Sequence, residues 1–182
     1  MKTTESFYFL ALIPDEKTCE EIVAFKQQSA DLFGSKAALR SPPHITLHMP
    51  FKWREDRENV LVERLEAFQF EDFPVEIELH NFDFFPPRVA FVNVVKNETL
   101  QHLQKELVQH VRKKLNIYNA DYKDRPFHPH ITVAFRDLKK AVFPDAQKHF
   151  SSLIYEVTFT ASGFSLLKHD GKVWKEFRFF KG

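Results

Sequence analysis

The sequence predicts an α+β protein of two pseudo-symmetric lobes in one domain, residues 1–182. Two observations carry this. Apolar periodicity gives the order strand, helix, strand, helix, strand twice in succession, with one strand added at the end. The tetrapeptide Pro43-His44-Ile45-Thr46 recurs as Pro129-His130-Ile131-Thr132, in the corresponding strand of each half. The internal repeat divides the chain at about 1–86 and 87–182, with Phe85-Pro86-Pro87 as a midpoint rather than a flexible linker. At 182 residues the chain suits a single domain and buries roughly 70% of its unfolded surface, so it needs no disulfide or metal to fold.

Phe7–Ile13 is a short apolar run closed by Pro14 and reads as a buried strand. Asp15–Phe33 follows as a helix, with Cys19, Ile22, Val23, Ala30 and Phe33 on one face, Asp15 as candidate cap and Gly34 as its stop. In His44–Met49, Ile45, Leu47 and Met49 alternate with His44, Thr46 and His48, the period of a half-buried strand. Asp56–Phe68 is a helix with Val60, Leu61, Leu65 and Phe68 on one side, and Pro74–Phe84 is an alternating strand. The second half reads Arg88–Val95 as strand and Asn97–Leu115 as helix, with Leu100, Leu103, Leu107, Val111 and Leu115 in register. His130–Phe135 is the second histidine strand. Asp137–Phe150 is mostly helical, with Pro144 interrupting it or starting a second turn. Ile154–Leu167 and Lys172–Phe180 close the chain as two strands around the turn His169-Asp170-Gly171.

Composition narrows the function classes. Lys+Arg is 26 and Asp+Glu 25, a net charge of +1, which excludes a strongly basic nucleic-acid coat and leaves a local basic cleft possible. One cysteine, Cys19, excludes an internal disulfide and a multi-cysteine zinc site. Four glycines cannot build a glycine-rich phosphate loop, and neither GxGxxG nor GxxxxGK[ST] is present. The N-terminal residues do not read as a signal peptide, and no apolar run is long enough for a membrane span, so a cytoplasmic protein is expected. Most of the 21 phenylalanines belong to the core.

The repeated tetrapeptide carries the chemistry. In each strand the His and the Thr, two residues apart, share a face, while the Ile and the following Leu47 or Val133 face the core. Each half therefore offers one imidazole and one hydroxyl to a shared groove. A phosphodiester can be cleaved by such a set: a neutral His takes a proton from the attacking water or hydroxyl, and a protonated His gives one to the leaving oxygen. Two Thr hydroxyls can hold the non-bridging phosphate oxygens. A rival arrangement uses His44, His48, His128 and His130 as four imidazole ligands for a transition metal. Against it, neither motif contains Asp or Glu, and Thr is a poor zinc ligand.

On these motifs the chain resembles the 2H phosphoesterase superfamily, in its 2′-5′ RNA ligase-like and cyclic phosphodiesterase branch. That family carries two His-x-Thr/Ser-x motifs, which His44-Ile45-Thr46-Leu47 and His130-Ile131-Thr132-Val133 match in full. The resemblance implies two lobes, each a mainly antiparallel sheet with flanking helices, around a central cleft. It implies His44 and His130 as catalytic acid/base pair, Thr46 and Thr132 as phosphate-binding residues, and neither metal nor cofactor. It implies RNA with a 2′,3′-cyclic phosphate or 2′-5′ linkage, or a small cyclic nucleotide, as substrate. A monomer that engages no membrane is expected. Some members place a basic residue soon after the second motif; here Ala134-Phe135 precede Arg136, which shares parity with His130 and Thr132. His48, Arg136, Tyr8, Phe51 and Lys168 are candidate substrate contacts, with Lys52, Arg88 and Arg125 as further cations and Phe84, Phe85, Phe127 and Trp174 as further aromatics. The alternative class is an RNA-end or nucleotide binding module with little catalysis.

Overall fold

The two halves of the chain exchange strands. The computed structural model describes residues 4–119 and 126–182. In chain order the elements are β1 (Glu5–Leu12), α1 (Glu16–Phe33), a 3₁₀ turn (Ala37–Arg40), β2 (Ile45–Arg54), a short 3₁₀ turn (Glu55–Arg57), α2 (Glu58–Glu66) and β3 (Val75–Phe85). There follow β4 (Val89–Val94), α3 (Glu98–Leu115), β5 (His130–Ala134), α4 (Phe143–Ser151), β6 (Glu156–Ala161), β7 (Gly163–His169) and β8 (Trp174–Lys181). One sheet has the order β2-β1-β7-β8 and the other β5-β4-β3-β6, antiparallel throughout. β3, from the first half, thus pairs with β4, and β7 returns from the chain end to pair with β1. Each histidine strand, β2 or β5, is the outer strand of its sheet.

Local signals account for most boundaries. Asp15 caps α1 by accepting from Thr18 N at 3.0 Å and Thr18 Oγ1 at 2.9 Å. Gly34 ends it at φ 71°, a left-handed conformation that costs glycine no Cβ clash. Asn97 caps α3 through Leu100 N at 2.8 Å. Three boundaries differ from expectation. The predicted strand 44–49 continues to Arg54 as β2, because its pairing with β1 extends to Glu5 opposite Arg54. The predicted strand 154–167 is two strands in different sheets, because the chain switches sheets at Ser162-Gly163. Phe180 O comes so close to Gly163 that a Cβ there would stand 2.0 Å from it. The predicted helix over 137–150 begins only at Phe143, with Pro144 in its first turn, where a missing N–H leaves no bond unmade.

One continuous core joins both sheets. Leu10, Leu12, Ile45 and Leu47 of the first sheet belong to the same buried cluster as Ile77, Val92, Ile131 and Val133 of the second. The predicted stripe of α3, Leu100 through Leu115, fills it. α3 packs on β2 while α1 packs on β5, and the edge strands β2 and β5 approach each other. A second tie crosses the lobes: the Asp137 carboxylate accepts from Ser35 Oγ at 2.8 Å, Lys36 N at 2.8 Å and Ala37 N at 2.9 Å. It thereby caps the 3₁₀ turn Ala37–Arg40 from across the cleft. Among the described residues no helix is long and apolar enough to cross a membrane.

Replacing Asp137 with alanine strands these donors beside the cleft. Chemical denaturation of Asp137→Ala is expected to show a loss of about 1–2 kcal/mol, with Asp137→Asn, which keeps one acceptor oxygen, losing less. Unchanged stability in the alanine variant would show that solvent serves these donors equally well.

Candidate functional site

Strand alternation places the repeated motif. Ile45, Leu47, Ile131 and Val133 are fully buried, while His44, Thr46, His130 and Thr132 between them remain half-buried. Because β2 and β5 are facing edge strands, all four polar residues line one cleft of about 950 Å³. The structure thus brings together the two halves of the motif as expected.

Both imidazoles are held in the same way. His44 Nδ1 lies 2.7 Å from Pro42 O, and His130 Nδ1 lies 2.8 Å from His128 O. A carbonyl oxygen only accepts, so each Nδ1 carries the proton and each neutral ring keeps its lone pair on Nε2. Aromatic rings back both: Phe9 at 4.8 Å from His44, and Phe91 at 4.9 Å and Phe85 at 5.3 Å from His130. Burial pushes the His44 imidazole down to about 4, with Lys26 and His130 adding to the fall and the Pro42 carbonyl opposing it. Burial also lowers His130, helped by the His128 side chain and opposed by the His128 carbonyl. At neutral pH both rings are therefore neutral acceptors at Nε2.

Lys26 lies beneath this loop. It is only 2% exposed, and its Nζ donates to Ser41 O at 2.8 Å. Burial pushes this ammonium down to about 8. Ser41 lines the cleft, so Lys26 braces the segment whose Pro42 carbonyl orients His44. Sequence reasoning passed over Lys26 because a lysine inside a helical pattern carries no sign of burial.

Other expected contacts lie elsewhere. His48 is completely buried, with Nδ1 2.8 Å from Met49 O. A bulge is responsible: Ala11 pairs with Thr46 but Leu10 pairs with His48, so the extra residue breaks the alternation and turns His48 towards the core face. The four-imidazole metal set is not assembled, and among the described residues no three His, Cys, Asp or Glu side chains group as metal ligands would. Tyr8 is also fully buried, its hydroxyl bonded to Glu58, and Phe51 stacks against it in the core. Lys168 does not line the cleft; it pairs with Glu55 at 2.8 Å and Glu58 at 2.7 Å. Arg136 does line the cleft, though not by alternation: β5 ends at Ala134, and Arg136 adopts a left-handed φ of 58°.

Of the remaining candidates, Lys52 covers the Phe7 ring at 5.4 Å and Arg88 donates to Arg136 O at 3.1 Å. Arg125 lies outside the described residues. Phe84 and Phe127 pack against the core, while Phe85 and Trp174 line the cleft. Phe9, Arg40, His169 and Lys172 line it as well and were not expected. Phe9 lacked a signal because Phe7–Ile13 is apolar on both faces, so its parity could not be read.

Fold and cleft define a bilobal α+β protein that brings a duplicated His-x-Thr strand into one interlobe groove. Residues 14–173 match the family model for the 2′-5′ RNA ligase superfamily, and the chain belongs to that family. A protein of Geobacillus sp. (strain WCH70), provisionally named a phosphoesterase, is 29% identical over 140 residues, 76% of this chain and 73% of the relative. The crystal structure of TT0787 from Thermus thermophilus superposes with TM-score 0.68 at 20% identity, covering 96% of this chain and 97% of the other. E. coli LigT complexed with NADP+ superposes with TM-score 0.68 at 18% identity over 98% of both chains, and LigT has also been crystallised with 3′-AMP. These structural likenesses establish the fold. The resemblance to 2H phosphoesterases is borne out, and family and relatives' names indicate a phosphoesterase.

Two outcomes follow from the lowered imidazoles and from Lys26. His44, His48 and His130 all have lowered values in the folded chain. The unfolded state then binds more protons below about pH 6.5. Their contribution is present above that pH and lost as pH falls towards about 4, where His44 titrates. Denaturation midpoints measured from pH 7 to 4 should fall, and should fall less in a His48→Phe variant. Lys26→Met should raise the pH at which His44 titrates, read by NMR of the imidazole; an unmoved titration would show that the Lys26 charge does not reach His44.

Proposed function

We propose that this chain is a metal-independent phosphoesterase that opens or forms 2′,3′-cyclic phosphate or 2′-5′ phosphodiester bonds of RNA ends or nucleotides by two-histidine acid/base catalysis. One observation carries the reading. Two imidazoles, each locked at Nδ1 by a backbone carbonyl two residues earlier, line one cleft with a Thr two residues beyond each. A pure binding module would not need two titratable rings fixed in the same tautomer. The nucleotides seen with E. coli LigT support a nucleotide-type ligand. The free, half-buried Cys19 suits a reducing, cytoplasmic setting.

In hydrolysis of a cyclic phosphate, His44 Nε2 takes a proton from water as its oxygen attacks phosphorus. His44 serves as base because its strongly lowered value keeps it neutral. His130 serves as acid: the bound phosphate anion beside it raises its affinity for a proton, which it gives to the departing ribose oxygen. Thr46 and Thr132 hydroxyls donate to the non-bridging oxygens. The roles reverse when the bond is formed.

The test uses a short RNA ending in 2′,3′-cyclic phosphate. His44→Asn and His130→Asn should each lower kcat by about 10² to 10⁴, and Thr46→Val or Thr132→Val by about 10². The kcat/KM profile of the wild type should be a bell with its optimum on the acid side of the ordinary imidazole value, near 6.5. His44→Asn should remove the acidic limb and His130→Asn the alkaline limb. EDTA should leave the rate unchanged; loss restored by a divalent metal would overturn metal independence. Tight binding of the RNA without product would favour the binding module instead.

A further inference from the structure

The hairpin joining β7 to β8 reaches into the cleft and has no part in the reaction above. Its His169, Lys172 and Trp174 line the same space as His44 and Thr46. The hairpin is braced from within. Asp170 Oδ1 accepts from Lys172 N and Val173 N, each at 2.9 Å, and Asp170 N donates to Val173 O at 3.0 Å. The other carboxylate oxygen of Asp170 pairs with Lys175 at 2.8 Å. Asp170 is therefore fully engaged by the turn and by Lys175. Lys172 forms no ion pair among the described residues, although it lines the cleft.

His169 is held the opposite way round from the other two cleft imidazoles. Gly171 N donates to His169 Nδ1 at 3.2 Å. That Nδ1 is an acceptor, so the neutral ring carries its proton on Nε2. Trp174 packs edge-on to the ring, centroids 5.0 Å apart. His44 and His130 offer a lone pair at Nε2, whereas His169 offers an N–H. An N–H donor on the same short turn as an unpaired ammonium is a recognition set for an anionic oxygen group. The wider cleft agrees: Arg40 and Arg136 also line it, and the Asp137 carboxylate beside them is occupied by three donors from the 3₁₀ turn.

We infer that the β7–β8 hairpin forms a second phosphate subsite, where His169 Nε2–H and the Lys172 ammonium hold a phosphate other than the one that reacts. The inference rests on the proposed phosphoesterase reading for the identity of the reacting group. It narrows the substrate class to nucleotides or RNA ends that bear at least one further phosphate, as against a nucleoside cyclic phosphate without one.

Calorimetry at pH 7 with a nucleoside 3′-monophosphate and the matching 3′,5′-bisphosphate tests the subsite without any turnover. The wild type should bind the bisphosphate about tenfold more tightly. Lys172→Met, an exposed tip residue, and His169→Phe, which keeps the aromatic contact with Trp174, should each remove most of that advantage and leave monophosphate affinity unchanged. No advantage in the wild type, an advantage that survives in both variants, or an equal loss for both ligands would overturn the subsite. Turnover of a 2′,3′-cyclic nucleotide with and without a 5′-phosphate then separates the two readings. The variants should lower kcat/KM about tenfold for the 5′-phosphorylated substrate alone. If the wild type opens neither substrate but keeps its binding preference, the phosphoesterase reading falls and the subsite stands. If it opens both equally and the variants change nothing, the subsite falls and the phosphoesterase reading stands.

Discussion

Two hydrogen bonds of one kind govern what this cleft can do. An imidazole has two nitrogens, and committing one decides the other. With Nδ1 of His44 bound to Pro42 O and Nδ1 of His130 bound to His128 O, both rings are fixed in the same tautomer and leave the same atom, Nε2, uncommitted. The partner in each case is a backbone carbonyl two residues earlier, so the orientation comes from the loop entering the strand and requires no acidic orienting group. The loop must then be held, and on the His44 side Lys26 does so by committing a buried ammonium to Ser41 O. The burial of the His44 ring also makes it hard to protonate. In the proposed reaction, the negative charge of the bound phosphate is what would restore a proton to His130.

Strand exchange explains how two sheets keep a fixed cleft between them. β3 leaves the first half to join β4, and β7 with β8 returns to join β1. The two sheets cannot part without opening the core that Leu47 and Val133 share. On the cleft side of the first sheet Phe9, Ala11 and Leu167 form a small separate cluster against Trp174. That cluster is the floor on which His44 and the β7–β8 hairpin stand. The Asp137 carboxylate closes the frame by tying the turn before the first histidine strand to the segment after the second.

Much of this was legible in the order of the residues. The α3 stripe, the Asp15 and Asn97 caps, Gly34 and the alternation around His44 and His130 are local signals. Each was read because one or two turns of chain contain its physical cause. The misread residues share a different property. His48 was placed in the groove by a parity that one bulged residue reverses. Tyr8 and Phe9 are adjacent in a run apolar on both faces, so only the burial of the finished sheet shows which of them meets the cleft. Lys168 and His169 are neighbours on opposite faces of β7, but the predicted strand ends at Leu167 and leaves both outside it, so no alternation assigns either of them a face.

The two strand faces that carry His-x-Thr, the helices behind them and the recurring motif follow from local residue order, because alternation and helical period act over a few residues. Which cations and aromatics join that pair depends on the folded arrangement. Arg40, Lys172, His169 and Phe9 are far apart in the chain, and nothing local distinguishes a lysine that lines a cleft from one on open surface. What distinguishes them is strand order and a bulge, and both are set by contacts between segments distant in the chain, where burial of the shared core outweighs any local preference.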